Sequence, residues 1–104
     1  MNTEQVYKSN LDRFVEYMET EDGKMVYQAV LAEVHNLLAS GFKTFGINAI
    51  IEKIRWDKAI ELGPKGKFKI NNNIAPYLAR ALLVYNQEIP ETFFKLKKVK
   101  GLEW

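Results

Sequence analysis

Few side chains in this sequence are suited to chemistry, and most of those donate hydrogen bonds or carry positive charge. Lys65, Lys67 and Lys69 alternate just ahead of a triplet, Asn71, Asn72 and Asn73, while Lys95, Lys97 and Lys98 stand near the C-terminal end. Ammonium groups in such clusters neutralise phosphates, and Asn, Arg and Gln can hydrogen-bond base edges in a major groove. Asn73, Arg80 and Gln87 recur at intervals of seven, which aligns them on one side of a helix. Weighed against this is the plainer reading of a solvated face and a basic tail.

Other chemistry finds little support. His35 is the only histidine and there is no cysteine, whereas a metal site needs three or four ligands. A structural role is the expectation for His35. Ser9 and Ser40 have no base at a suggestive spacing, so no nucleophilic triad can be built. Glu19, Glu21 and Asp22 fall in a polar run and read as solvated carboxylates. Lys65-Gly66-Lys67 is too short for a phosphate-cradling loop, which needs several glycines between a strand and a helix start. The expectation is a protein that is not an enzyme and uses no cofactor and no metal.

The 104 residues fit one domain, with helices over 3–40 and a basic part over 44–100. Residues 1–40 hold three Lys or Arg against seven acids, a balance of −4, and residues 41–104 hold twelve against six, a balance of +6. That split aims the C-terminal half at a polyanion. The first residues, MNTEQVYKSNLDRF, lack the basic and then apolar pattern of a signal peptide. No apolar run reaches the ~18 residues of a membrane helix, so a soluble cytoplasmic protein, monomer or homodimer, is expected without a membrane partner.

The elements that must position these groups follow from periodicity. Tyr7, Leu11, Phe14 and Met18 make a helical stripe from Thr3 to about Met18, and Thr20–Gly23 is a natural break. From Lys24, the stripe Val26, Val30, Val34 and Leu37 marks a second helix, with Gly41 at the position of a left-handed cap. Thr44 can cap a third helix with Ile47, Ile50, Ile51 and Ile54 on one side. Trp56 and Ile60 fall on the opposite side. That helix is therefore buried on two faces or ends near Trp56. Because Trp is usually buried, Trp56 is read as a structural anchor beside an Arg55 paired with an acid; a contact surface is the alternative.

Gly63–Gly66 is a turn by composition. Phe68-Lys69-Ile70 alternates as a short strand would, and so does Phe94-Lys95-Leu96-Lys97. Asn72 or Asn73 suits the N-cap of a last helix, with Pro76 in its first turn and Ile74, Tyr77, Leu78, Ala81, Leu82 and Tyr85 on one apolar face.

FGINAIIEKIRW (Phe45–Trp56), FKINNN (Phe68–Asn73), YLAR (Tyr77–Arg80) and the pair Phe93-Phe94 also resemble a family of small phage and prophage proteins of unassigned function. The likeness covers about half of the chain. Lys95 and Lys97 stand where that family usually has an arginine after the Phe pair, and lysine cannot reproduce a bidentate contact. The resemblance implies a phage setting in a bacterial host cell.

Together these features predict a mainly α fold with a small β-hairpin (α+β), a winged-helix-like single domain. The connection from Trp56 to Asn72 is longer than an ordinary helix-turn-helix turn. On this reading double-stranded DNA is the partner. The last helix would enter the major groove with Asn73 and Arg80 toward bases, and Asn71, Asn72 and the lysines would line the contact. The alternative is a phage accessory protein that binds a host protein, using an acidic N-terminal face at Glu16, Glu19, Glu21 and Asp22. An exposed apolar patch would favour it.

Overall fold

The structure, a computed structural model, describes residues 10–66, 70 and 72–95. Four α-helices follow in order: α1 (Asn10–Glu19), α2 (Glu21–Ala39), α3 (Ile47–Leu62) and α4 (Ala75–Tyr85), the last entered through a 3-10 turn at Asn72–Ile74. The expected helix start at Thr3 lies outside the described residues.

The break between α1 and α2 is tighter than composition suggests. Only Thr20 stands outside both helices, and Glu21, Asp22 and Gly23 form the first turn of α2. The Thr20 hydroxyl oxygen accepts the Gly23 N–H at 3.0 Å and donates to the Tyr17 carbonyl at 2.6 Å. Glu21 and Asp22 then sit where the helix dipole favours negative charge. The corner has no space for a side chain at residue 23. A Cβ built on Gly23 would lie 1.8 Å from the Tyr17 carbonyl oxygen.

At its other end α2 closes as its sequence predicts. Gly41 adopts φ +94°. Its N–H donates to Leu38 O, and the Phe42 N–H to Leu37 O, both at 3.0 Å. That pair of bonds is the Schellman arrangement, which satisfies the orphan carbonyls of a helix end. Val26, Val30 and Val34 are buried along the inner face of α2.

Helix α3 begins after Gly46, with no side-chain cap, so Thr44 does not serve as its cap. Ile50, Ile51 and Ile54 are buried as the stripe requires. Nevertheless the helix runs on to Leu62, two turns beyond the point where the pattern leaves the core.

Helix α4 is the centre of the core. Ala75, Tyr77, Leu78, Ala79, Ala81 and Leu82 are all buried, and Tyr77 stacks on Phe14 of α1 with ring centroids 6.0 Å apart. Its first residue follows Ile74 without a side-chain cap. Asn72 and Asn73 lead into the helix through a 3-10 turn that places Ile74, not an asparagine, at the N-cap position. Tyr85, expected on the apolar face, stands in solvent at the last turn.

The winged-helix expectation is corrected by the C-terminal segment. Among the described residues there is no strand and no hairpin. Of the expected strand Phe94–Lys97 only Phe94 and Lys95 are described, and Phe94 is buried in a bend beside Phe93, their rings nearly perpendicular. The Phe93 N–H bonds back to Pro90 O at 2.9 Å in a turn, and Phe93 O accepts the Phe45 N–H at 3.0 Å. Ile70 is buried as well, and its carbonyl accepts from the Arg55 guanidinium. Lys67–Lys69 and residues 96–98 lie outside the described residues. Among the described residues, helices build this core together with Ile70 and the turns that bury Ile89, Phe93 and Phe94.

The corner supplies a first test. Gly23→Ala forces the new methyl into a backbone carbonyl, so it should lower stability by about 1–3 kcal/mol or more. Ala is the better helix former, so a rise in the denaturant midpoint would show that the corner is looser than described.

Candidate functional site

At 100° per residue, Ile47, Ile50, Ile51 and Ile54 occupy one side of α3, and Trp56 and Ile60, four residues apart, occupy the other. Nothing in the sequence breaks the helix before Gly63-Pro64. Ion pairs along its outer turns favour continuation: Lys53 with Asp57 at 3.0 Å, Lys58 with Glu61 at 3.1 Å, and Arg55 with Glu52. Lys53 also reaches Glu33 of α2 at 2.8 Å. The hydrogen bonds it donates to Glu33 and then Asp57 raise its pKa above the usual lysine value. The Gly63 N–H closes the helix on Ala59 O at 3.0 Å.

The outcome is a surface that periodicity did not anticipate. Trp56 is 70% exposed, Ile60 69% and Leu62 46%. They border an open hollow of about 610 Å³ whose floor is completed by Ala59, Pro64 and Gly66. Trp56 is thus no buried anchor, and the helix neither ends there nor buries two faces. The signal was present in the wheel; among the described residues no element packs on the second face.

Arg55, beside it, is partly buried and performs the structural work expected of the pair. Its guanidinium donates to Glu52 one turn back and to the Ile70 carbonyl across the 63–70 connection. It pins the chain that enters the asparagine triplet onto α3.

The residues expected to contact DNA are not brought together as one described face. Lys65 is exposed in the turn after α3, and Lys95 is exposed after the Phe pair. Lys67, Lys69, Asn71, Lys97 and Lys98 lie outside the described residues. Asn72 opens the 3-10 turn. Asn73 is exposed within it, and Gln87 is exposed beyond the end of α4. Arg80 is half-buried and donates to the Pro76 carbonyl of its own helix at 3.2 Å. Arg80 is the only charged residue of α4, and Asn73 and Gln87, which share its spacing, stand in the turns before and after that helix. Of the acidic residues, Glu16, Glu19, Glu21 and Asp22 are all exposed around the α1–α2 corner.

His35 Nε2 lies 3.0 Å from Glu88 Oε1, linking α2 to the turn after α4. Glu88 is held below the usual carboxylate range, first by its own backbone N–H and then by His35. A depressed carboxyl stabilises above its unfolded pKa, so this link fades as the pH falls through the folded value. No group of three or more metal-ligating side chains occurs among the described residues, and no described helix is long and apolar enough to cross a membrane.

Arg55→Lys tests the clamp. A lysine cannot serve Glu52 and the Ile70 carbonyl together in the planar geometry of a guanidinium. The substitution should cost about 1–2 kcal/mol by denaturant titration, and hydrogen exchange should rise around Ile70. Wild-type stability with unchanged exchange would remove Arg55 from that role. No known protein family, curated protein or solved structure matches this chain significantly. Its function must be read from its own residues.

Proposed function

We propose that this chain is a non-catalytic phage protein that binds and modulates a protein of the bacterial host, with the outer end of α3 as its contact surface. The observation that carries this reading is the exposure of Trp56 and Ile60, 70% and 69%, on one helix face. Large apolar side chains four residues apart are the anchors of helix-in-groove recognition, and Trp is the residue most enriched among binding hot spots. The resemblance at Phe45–Trp56 and Phe68–Asn73 supplies the phage setting.

Charge narrows the partner. Around Trp56 the ions are Glu52, Lys53, Arg55, Asp57, Lys58 and Glu61, three of each sign and mutually paired. Such a rim sets up no net field to attract a polyanion. It suits an apolar pocket wide enough for an indole, bordered by polar groups of either sign. A stable complex buries about 800 Å² per partner, so Leu62, Pro64 and Lys65 would join the contact.

The duplex-DNA reading draws instead on the lysine excess of residues 41–104 and on Asn73. One experiment separates the two. A photoreactive phenylalanine analogue is placed at position 60 and irradiated in bacterial cells producing the protein. A discrete protein adduct is expected, lost with Trp56→Ala and retained with Lys65→Glu plus Lys95→Glu. Trp56→Ala should change stability by no more than about 0.5 kcal/mol, as for other exposed positions. Adducts to nucleic acid alone, or none in any bacterial host, would overturn the protein-binding proposal.

A further inference from the structure

A second apolar surface lies away from Trp56, between α1 and the end of α4. Leu11, Phe14, Val15 and Met18 of α1 face Ala81 and Tyr85 of α4 across an open cleft of about 560 Å³, with Tyr27 of α2 at its base. Its lips are apolar and stand in solvent, Val15 49% and Tyr85 73% exposed. Tyr27 is held in place because its hydroxyl accepts from Asn86 Nδ2 at 2.9 Å, and the same amide donates to Leu82 O at 3.0 Å. The base of the cleft is therefore braced.

The cleft has a charge as well as a shape. Asp12 and Glu19, seven residues apart and so on one side of α1, line its two ends, and Lys24 is the one cation among the lining residues. The neighbouring surface adds the exposed Glu16, Glu21 and Asp22 against the single cation Arg13, so the balance stays acidic. This acidic border repels nucleic acid and anionic lipid and attracts a cationic partner. The ten residues of α1 extend about 15 Å at 1.5 Å per residue, room for about three turns of a second helix alongside. Met18 on the wall is a flexible side chain that adapts to differently shaped apolar groups.

We infer that this cleft binds a basic amphipathic helix of a partner protein, with apolar anchors one turn apart seated against Val15, Met18 and Tyr85 and its cations against Asp12 and Glu19. The site shares no residue with the α3 surface, so either can fail alone.

The test uses three fluorescein-labelled peptides about three turns long with the full-length protein at physiological salt. One carries leucines at i, i+4 spacing with lysines elsewhere; one has glutamates in place of the lysines; one has the first peptide's composition with the leucines scattered. Anisotropy should show saturable binding of the first, and at least about tenfold weaker binding of the other two, the loss of one such contact set. Val15→Asp and Glu19→Lys should each weaken the first peptide by about tenfold, while Trp56→Ala leaves it unchanged. Tyr85→Ala, on the opposite wall, provides the same loss should Val15→Asp lower stability. Equal binding of all three peptides, no saturable binding of the first, or a loss confined to Trp56→Ala would overturn the inference.

Discussion

The burial of α4 is the constraint on which the rest of the molecule depends. Ala75, Leu78, Ala79 and Leu82 cover one side, and Tyr77 and Ala81 extend the buried arc to about 200° at 100° per residue. A surface helix needs an apolar stripe of only about half that width. Three buried alanines let neighbouring elements approach closely, so α1, α3 and the Phe93-Phe94 turn close around α4. What remains outward is Pro76, Arg80, Leu83 and Val84, with one charge among them, folded back on its own helix. A helix used in this way cannot also offer a row of polar side chains to a groove.

That arrangement decides which surfaces stay open. Helix α3 packs its isoleucines inward, and no described element covers the opposite side, where Trp56 and Ile60 stand. The ion pairs along α3 favour the helix there by about 0.2–0.5 kcal/mol each. On the other flank, α1 and the exposed end of α4 leave an acidic-edged cleft. The two surfaces differ in charge, balanced apart from Lys65 at α3 and negative at α1, so they suit different partners. Both are positioned by rigid helices, which hold contact groups more precisely than loops do.

How much was legible in the sequence follows from what each signal reports. The valine stripe of α2 and Gly41 were read correctly because local spacing and a left-handed glycine cap need no tertiary information. The inward face of α3 was legible for the same reason. Its outward face was not, because periodicity reports which residues share a side but not whether another element covers it. The asparagine triplet has high capping propensity, yet the chain enters α4 through a 3-10 turn held by Ile70 and Ile74 in the core. Alternation over Phe94–Lys97 suggested a strand, but its described start, Phe94 and Lys95, is a bend that follows the Pro90–Phe93 turn. Among the candidate contact residues, Arg80 stands on the outward side of α4 as its spacing indicated, half-buried and bonded back to Pro76 O. Trp56 was misplaced because large aromatics are usually interior.

The central claim is that Trp56 is an open contact surface in the isolated protein. It is tested most directly by acrylamide quenching of Trp56 fluorescence in a Trp104→Phe background, where Trp56 is the only tryptophan. The account predicts red-shifted emission and quenching close to that of the unfolded chain. Blue-shifted emission protected from acrylamide would mean that the protein covers Trp56 itself, and would contradict it.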